Sequence, residues 1–174
     1  AYHQTTAEAK ENATILINAS KNSTAKYEEL AQAISSSANR AAQSGANIKE
    51  FTSAVAYTAG TFGSASSAAS TYTMMLQRLS AQSKNEYNPS VVGASKALEN
   101  LSKSQTLNDT LTGLLGKRQA ALAKIFVKNA SSIKEMEEKL KNLEAATKIV
   151  NAVESKQENQ EKKLQNAKRA LAHE

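Results

Sequence analysis

The sequence predicts an all-α protein, built as an elongated antiparallel helical bundle. Three observations carry that prediction. One proline and six glycines punctuate 174 residues, far below the usual shares of about 5% and about 7%. Alanine, leucine, lysine, glutamate and glutamine, all good helix formers, dominate long stretches. Larger side chains also recur every three or four residues along most of the chain, the spacing of one helix face.

In the first half this stripe runs through Leu16, Tyr27, Leu30, Ile34, Ala41, Ile48, Phe51, Val55, Phe62, Ala69, Tyr72, Leu76 and Leu79, with serines and alanines at the positions between. Small residues on a packing stripe let helices lie close together. Gly45 interrupts the pattern lightly. Gly60-Thr-Phe-Gly63 interrupts it more, since each glycine costs about 1 kcal/mol inside a helix. Asn85-Glu-Tyr-Asn-Pro89 is the clearest stop, because proline ends a helix and holds the residue before it out of the α region. Gly63 to Thr71 is a low-complexity serine/alanine run that reads equally as a close helix contact or a mobile loop.

Beyond Pro89 the stripe resumes at Val91, Ala94, Leu98 and Leu101 and weakens through Gln105, Asn108 and Thr112. It strengthens again at Leu115, Leu122, Phe126, Ile133, Met136 and Leu140, and continues to Val150, Leu164 and Leu171. No glycine or proline occurs from Lys117 to Ala172, so an unbroken helix there would reach about 84 Å. Ser132-Ile-Lys-Glu135 has the form of a capping box that could start a new helix. The spacing therefore leaves two architectures for a single domain over residues 1–174. Three long helices with breaks near 60–63 and 85–89 need the fewest interruptions and are favoured. Breaks at Gly45, Pro89 and Ala130 would instead give four helices of about 40 residues each.

Composition excludes much chemistry. The chain has no cysteine, and its two histidines, His3 and His173, stand at opposite ends. A disulfide framework, a thiolate metal site, a cysteine nucleophile and a Ser-His-acid set are all out of reach. No glycine-rich phosphate loop or Glu-x-x-His pair occurs. Glu135, Glu137 and Glu138 resemble a carboxylate cluster, yet each has a lysine one turn away. The expectation is a non-enzyme that needs no cofactor and no metal.

The net charge is +6, with +1 in residues 1–87 and +5 in residues 88–174. Ten acids mix with the fifteen cations of the second half. Several form Glu-to-Lys i,i+4 pairs, Glu135–Lys139 and Glu137–Lys141 among them, as on a solvated helix face. No nucleic-acid partner is expected on that reading. No run approaches the ~20 apolar residues of a membrane span. The Ala-Tyr-His start reads as a mature or trimmed product, which would leave any anchor or targeting segment outside this sequence.

Asn-X-Ser/Thr triplets occur at Asn12, Asn18, Asn22, Asn100, Asn108 and Asn129, about twice as many as composition alone yields. Four of these, Asn12, Asn18, Asn22 and Asn100, fall off the apolar stripe, where a glycan could project into water. Asn108 and Asn129 fall on it. The excess points to passage through a secretory pathway. Tyr27 and Tyr72 lie on the stripe as core residues, whereas Tyr57 and Tyr87 flank the predicted breaks and are candidates for contact at one end of the rod.

An alanine-rich, cysteine-free helical chain with several sequons resembles the glutamic acid/alanine-rich and alanine-rich insect-stage surface proteins of African trypanosomes. Those are similar in architecture to variant surface glycoprotein N-terminal domains. Fifteen glutamates against one aspartate run in the same direction, while the net positive charge and the missing cysteines do not. The resemblance is one of overall style, and no short motif transfers a functional residue. It implies a surface glycoprotein held on the outer face of the plasma membrane by a glycolipid anchor outside this sequence. Its partners would then be coat neighbours or further copies of itself, and its role shielding the membrane or contacting host tissue. The alternatives are an exchangeable amphipathic lipid-binding bundle of the apolipophorin kind and an intracellular adaptor of the talin-rod or spectrin kind.

Overall fold

The turn between Ser44 and Asn47 shows why the long helices of the sequence reading do not form. Asn47 accepts hydrogen bonds from the backbone N–H groups of Lys49 and Glu50 at 2.9 and 3.0 Å. The Glu50 carboxylate answers by accepting from the Asn47 N–H at 2.9 Å. This reciprocal capping box starts a new helix with only four residues between it and the end of the preceding one. Gly45, at φ +89°, turns the chain between them.

The computed structural model describes residues 6–82, 85–141, 155–156 and 159–163. Between residues 6 and 141 the chain forms nine α-helices and one 3₁₀ turn, and the described residues contain no strand. The helices are α1 (Thr6–Lys21), α2 (Tyr27–Gln43), α3 (Ile48–Phe62), α4 (Ala65–Gln82), α5 (Pro89–Val92), α6 (Ala94–Ser102), α7 (Leu107–Leu115), α8 (Lys117–Lys128) and α9 (Ala130–Lys141). The 3₁₀ turn, Asn85–Tyr87, precedes α5. The longest of these helices, α4, has 18 residues, about 27 Å. The fold is all-α as predicted, but it is a compact bundle of short helices. Neither the three long helices nor the four of equal length are present.

Each predicted break is real, and others join them. Gly63 ends α3 in the left-handed conformation. Asn88 caps α5 by accepting from the Ser90 N–H at 2.9 Å, with Pro89 in the first helical position. The turn at residues 22–26 carries no glycine or proline. Its short polar side chains supply the alternative, with Ser23 Oγ accepting from the Ala25 N–H. Asn129 separates α8 from α9 by a single residue, and Ile133 N–H still bonds back to the Asn129 carbonyl at 2.9 Å. Helix α9 thus starts two residues before Ser132, so the Ser132–Glu135 pair falls inside a helix and not at its cap.

The apolar stripe survives these breaks because every helix turns its face to one core. Leu30, Ile34, Ala41, Phe51, Val55, Ala69, Tyr72, Leu76 and Leu79 are all buried, whereas Tyr27, expected in the core with Tyr72, is exposed at the first position of α2. Helix α3 is the axis: it packs on α1, α2, α4 and α9 and touches α6 and α8. Nine of its fifteen residues are buried, most of them Ala, Ser or Thr, and small side chains are what allow a helix to be enclosed on several sides. The serine/alanine run resolves as close contact. Ala65, Ala68 and Ala69 are fully buried in α4, and Ser64 Oγ accepts from the Ser67 N–H at its start. The three phenylalanines of the chain join Tyr72 in one aromatic stack. Ring centroids lie 5.9 Å apart for Phe51–Tyr72, 4.8 Å for Tyr72–Phe126 and 5.2 Å for Phe62–Phe126, tying α3, α4 and α8 together.

After Pro89 the stripe holds at Ala94, Leu98, Leu101, Phe126, Ile133, Met136 and Leu140, all buried, but fails at Val91. Val91 is 59% exposed while Pro89 is buried, because α5 lasts only one turn and Gly93 resets the phase. Gln105 and Asn108, predicted as weak stripe positions, are exposed. Val150, Leu164 and Leu171 lie outside the described residues.

Candidate functional site

The principal buried polar cluster begins at Glu50, the N3 residue of α3. Having capped its own helix with Oε2, it offers Oε1 to the Ser95 N–H at 3.1 Å. Ser95 stands in the first turn of α6, whose N-cap, Gly93, has no side chain to do this. One carboxylate therefore serves two helix N-termini, where unpaired N–H groups and the helix dipole both favour a negative charge. Ser95 Oγ then donates to Glu137 Oε2 of α9 at 2.8 Å. Glu137 Oε1 also lies 3.8 Å from Lys141 Nζ, the i,i+4 pair read from the sequence. Lys141 in addition meets Glu138 at 2.6 Å, and these carboxylates raise its pKa, the Glu138 hydrogen bond foremost.

Tyr72 is packed behind this cluster. Burial pushes its phenol well above the usual tyrosine range, and the negative charges of Glu50 and Glu137 push it further. Each Glu50 oxygen already accepts a backbone N–H, and Glu137 is held by Ser95 and Lys141. The arrangement acts as a staple across α3, α6 and α9, with its carboxylates engaged as acceptors. Sequence reasoning missed Glu50 altogether, although Asn47-Ile-Lys-Glu50 is a legible capping box. It read Glu137 as one of three neighbouring carboxylates, paired with Lys141, and not as a partner of Ser95.

A second cluster lies on the surface. Glu99 meets Lys96 at 3.2 Å, Lys103 in a short contact, and Lys134 of α9 at 3.8 Å. Hydrogen bonds from Lys103 and then Lys96 hold its carboxyl at about 2. Between α7 and α8 a depression of about 200 Å³ is lined by Asn108, Leu111, Thr112, Lys117, Ala120, Ala121 and Lys124.

The six sequon asparagines occupy different environments. Asn22 is exposed in the α1–α2 turn, with its Nδ2 donating to the Asn18 carbonyl at 2.8 Å. Asn108 is exposed at the start of α7. Asn12 is half-buried on α1, and Asn18 is buried at 6% exposure. Asn100, half-buried, donates to the Glu86 carbonyl at 2.7 Å and holds the 3₁₀ turn against α6. Asn129, half-buried, donates to the Ile125 carbonyl at 2.7 Å and accepts from Tyr57 at 3.5 Å. Tyr57 is 40% exposed on α3. Tyr87 is half-buried in the 3₁₀ turn beside Pro89, whose carbonyl sits against Gly45. The two tyrosines thus belong to opposite ends of α3.

Among the described residues no group of three or more His, Cys, Asp or Glu side chains is placed to hold a metal ion. No described helix is long and apolar enough to cross a membrane. Comparison with protein families, with curated proteins and with solved structures finds no match to this chain.

Proposed function

We propose that this chain is a glycosylated, non-catalytic helical domain displayed at a cell surface, where its exterior shields the membrane or meets host tissue. The observation that carries the reading is the Asn22-Ser23-Thr24 sequon. Both Asn22 and Thr24 are exposed, in the turn between α1 and α2. An amide nitrogen has two N–H groups, so Asn22 can carry a sugar and keep its bond to the Asn18 carbonyl. Asn18 itself has no room for a glycan in this packing. The compact bundle replaces the rod in this picture, so shielding would come from the glycan and the charged outer faces more than from length.

The experiment is site-resolved glycan mapping of the protein isolated from its own cells. Enzymatic deglycosylation in ¹⁸O-water converts an occupied asparagine to labelled aspartate, which mass spectrometry of peptides locates. Label at Asn22 with none at Asn18 is the expected result. An unlabelled Asn22 overturns the proposal.

A further inference from the structure

The positive charge of this protein is concentrated in one part of the fold. Residues 88–134 hold seven cations against only Glu99 and Asp109, a net +5 within a total of +6. Three of those cations surround Glu99. The other four, Lys117, Arg118, Lys124 and Lys128, all belong to α8, which contains no acidic residue. None of the four forms an ion pair among the described residues, whereas Lys49, Lys96, Lys103, Lys134 and Lys141 all do.

Helix geometry aligns three of them. At 3.6 residues per turn, Lys117, Lys124 and Lys128 fall within about 40° of one another and form a line about 16 Å long. The adjoining face of α8, Ala120, Ala123, Phe126 and Val127, is buried, while Lys117 and Lys128 are exposed and Lys124 between them is half-buried. The placement of these cations is unfavourable for the isolated protein. Lys117 and Arg118 stand in the first turn, where the helix dipole repels cations, and Lys124 and Lys128 are like charges at i,i+4. A bound polyanion relieves both. Lys117 and Lys124 also bracket the α7–α8 depression, with Asn108 and Thr112 as hydrogen-bonding groups and Leu111 and Ala120 as apolar lining.

We propose that the α7–α8 face binds a linear sulfated polysaccharide, with Lys117, Lys124 and Lys128 pairing with successive anionic groups and the depression seating one sugar ring. The choice among polyanions follows from what the face presents. The exposed large hydrophobics Tyr27, Tyr57 and Val91 are on neither α7 nor α8, so no apolar wedge is there to enter a bilayer. No aromatic ring is exposed on either helix to stack on a base. Choosing a polysaccharide as the source of the anion rests on the surface-display reading above. A glycan on Asn108 would fill the depression, so the form to examine is the unglycosylated chain.

Full-length protein made in bacteria is titrated with heparin oligosaccharide by calorimetry at 0.15 M salt. The triple variant Lys117→Gln, Lys124→Gln, Lys128→Gln is compared with a charge-matched control, Lys21→Gln, Lys26→Gln, Arg40→Gln, removed from exposed sites on α1, α2 and the turn between them. Circular dichroism checks that both fold, and Lys124→Gln alone serves if the triple variant does not. The triple variant should weaken heparin binding at least tenfold and the control less than threefold, with Lys124→Gln in between. Equal losses in the two triple variants would reduce the effect to net charge and overturn the proposal. It is equally overturned if wild type ignores heparin, or binds duplex DNA or phosphatidylserine vesicles more tightly at matched anion concentration. Glycan occupancy at Asn22 plays no part in this measurement, so either proposal can fail without the other.

Discussion

Replacing Glu50 by alanine tests whether its buried carboxylate is a staple. Glu50 is only 8% exposed, and it accepts two backbone hydrogen bonds, from Asn47 at 2.9 Å and Ser95 at 3.1 Å. A hydrogen bond to a charged group contributes about 1.5–3 kcal/mol. The Asn47 N–H stands at an exposed residue, where water replaces most of what it loses. The Ser95 N–H, at a half-buried helix start with no cap of its own, loses nearly all of it. The expected cost of Glu50→Ala is therefore about 2–4 kcal/mol, a fall in Tm of about 4–16 °C for a chain of this size. Glu50→Gln keeps one acceptor oxygen but turns an N–H₂ toward the other donor, and should fall between alanine and wild type. Urea unfolding followed by circular dichroism measures both variants. A Glu50→Ala variant within 0.5 kcal/mol of wild type would refute the staple and leave the carboxylate without a structural reason for its burial.

Three further outcomes follow from the same structure. Gly45→Ala should destabilise by about 2–5 kcal/mol, combining left-handed strain with overpacking, because the new Cβ collides with the Pro89 carbonyl and lies 2.6 Å from the Ser90 nitrogen. Gly113→Ala, inside α7 with nothing within 4 Å of its new Cβ, should stabilise by up to about 1 kcal/mol, and paired melting curves compare the two. For Tyr72 the folded pKa is raised, first by burial and then by Glu50 and Glu137, so the stability it contributes is full below the unfolded value of about 10 and is lost as pH rises past it. Wild type should weaken by about 1.4 kcal/mol per pH unit above pH ~10 from this group alone. Tyr72→Phe should lack that component, and a Tyr72→Phe variant with an unchanged alkaline slope would assign it elsewhere.

What could be read along the chain was whatever depends on neighbours within a turn or two. Helical class, the breaks at Gly63 and Pro89, and the burial of Phe51, Val55, Tyr72 and Phe126 all follow from local propensity and a 3–4 spacing. The continuity of that spacing was also what misled. A turn of four residues between Gln43 and Ile48 happens to preserve phase, so Ser44 and Ile48 stay on one stripe while the chain reverses direction. Periodicity reports which face meets a core, and it is blind to whether the core is reached by one long helix or by two short ones. The capping box at Asn47 held that information, and the glycine two residues earlier drew attention away from it.

The polar staple lay beyond any local rule. Glu50, Ser95 and Glu137 are 45 and 42 residues apart, and nothing at Ser95 announces that a carboxylate from another helix will cap α6. The sequons show the same division. Their presence is written in three residues, but the burial of Asn18 and the exposure of Asn22 depend on how α1 meets α2 and α3. Charge divides likewise: the sequence shows how many lysines α8 carries, while the packing of Phe126 and Val127 decides that Lys117 and Lys128 are exposed and that none of them pairs with an acid among the described residues. The sequence by itself determined an α-helical chain with small, close-packing residues and no cysteine. Tertiary structure alone decided the compact bundle, the carboxylate shared between two helix ends and the unpaired cationic line, because each arises from contacts between residues that the chain keeps far apart.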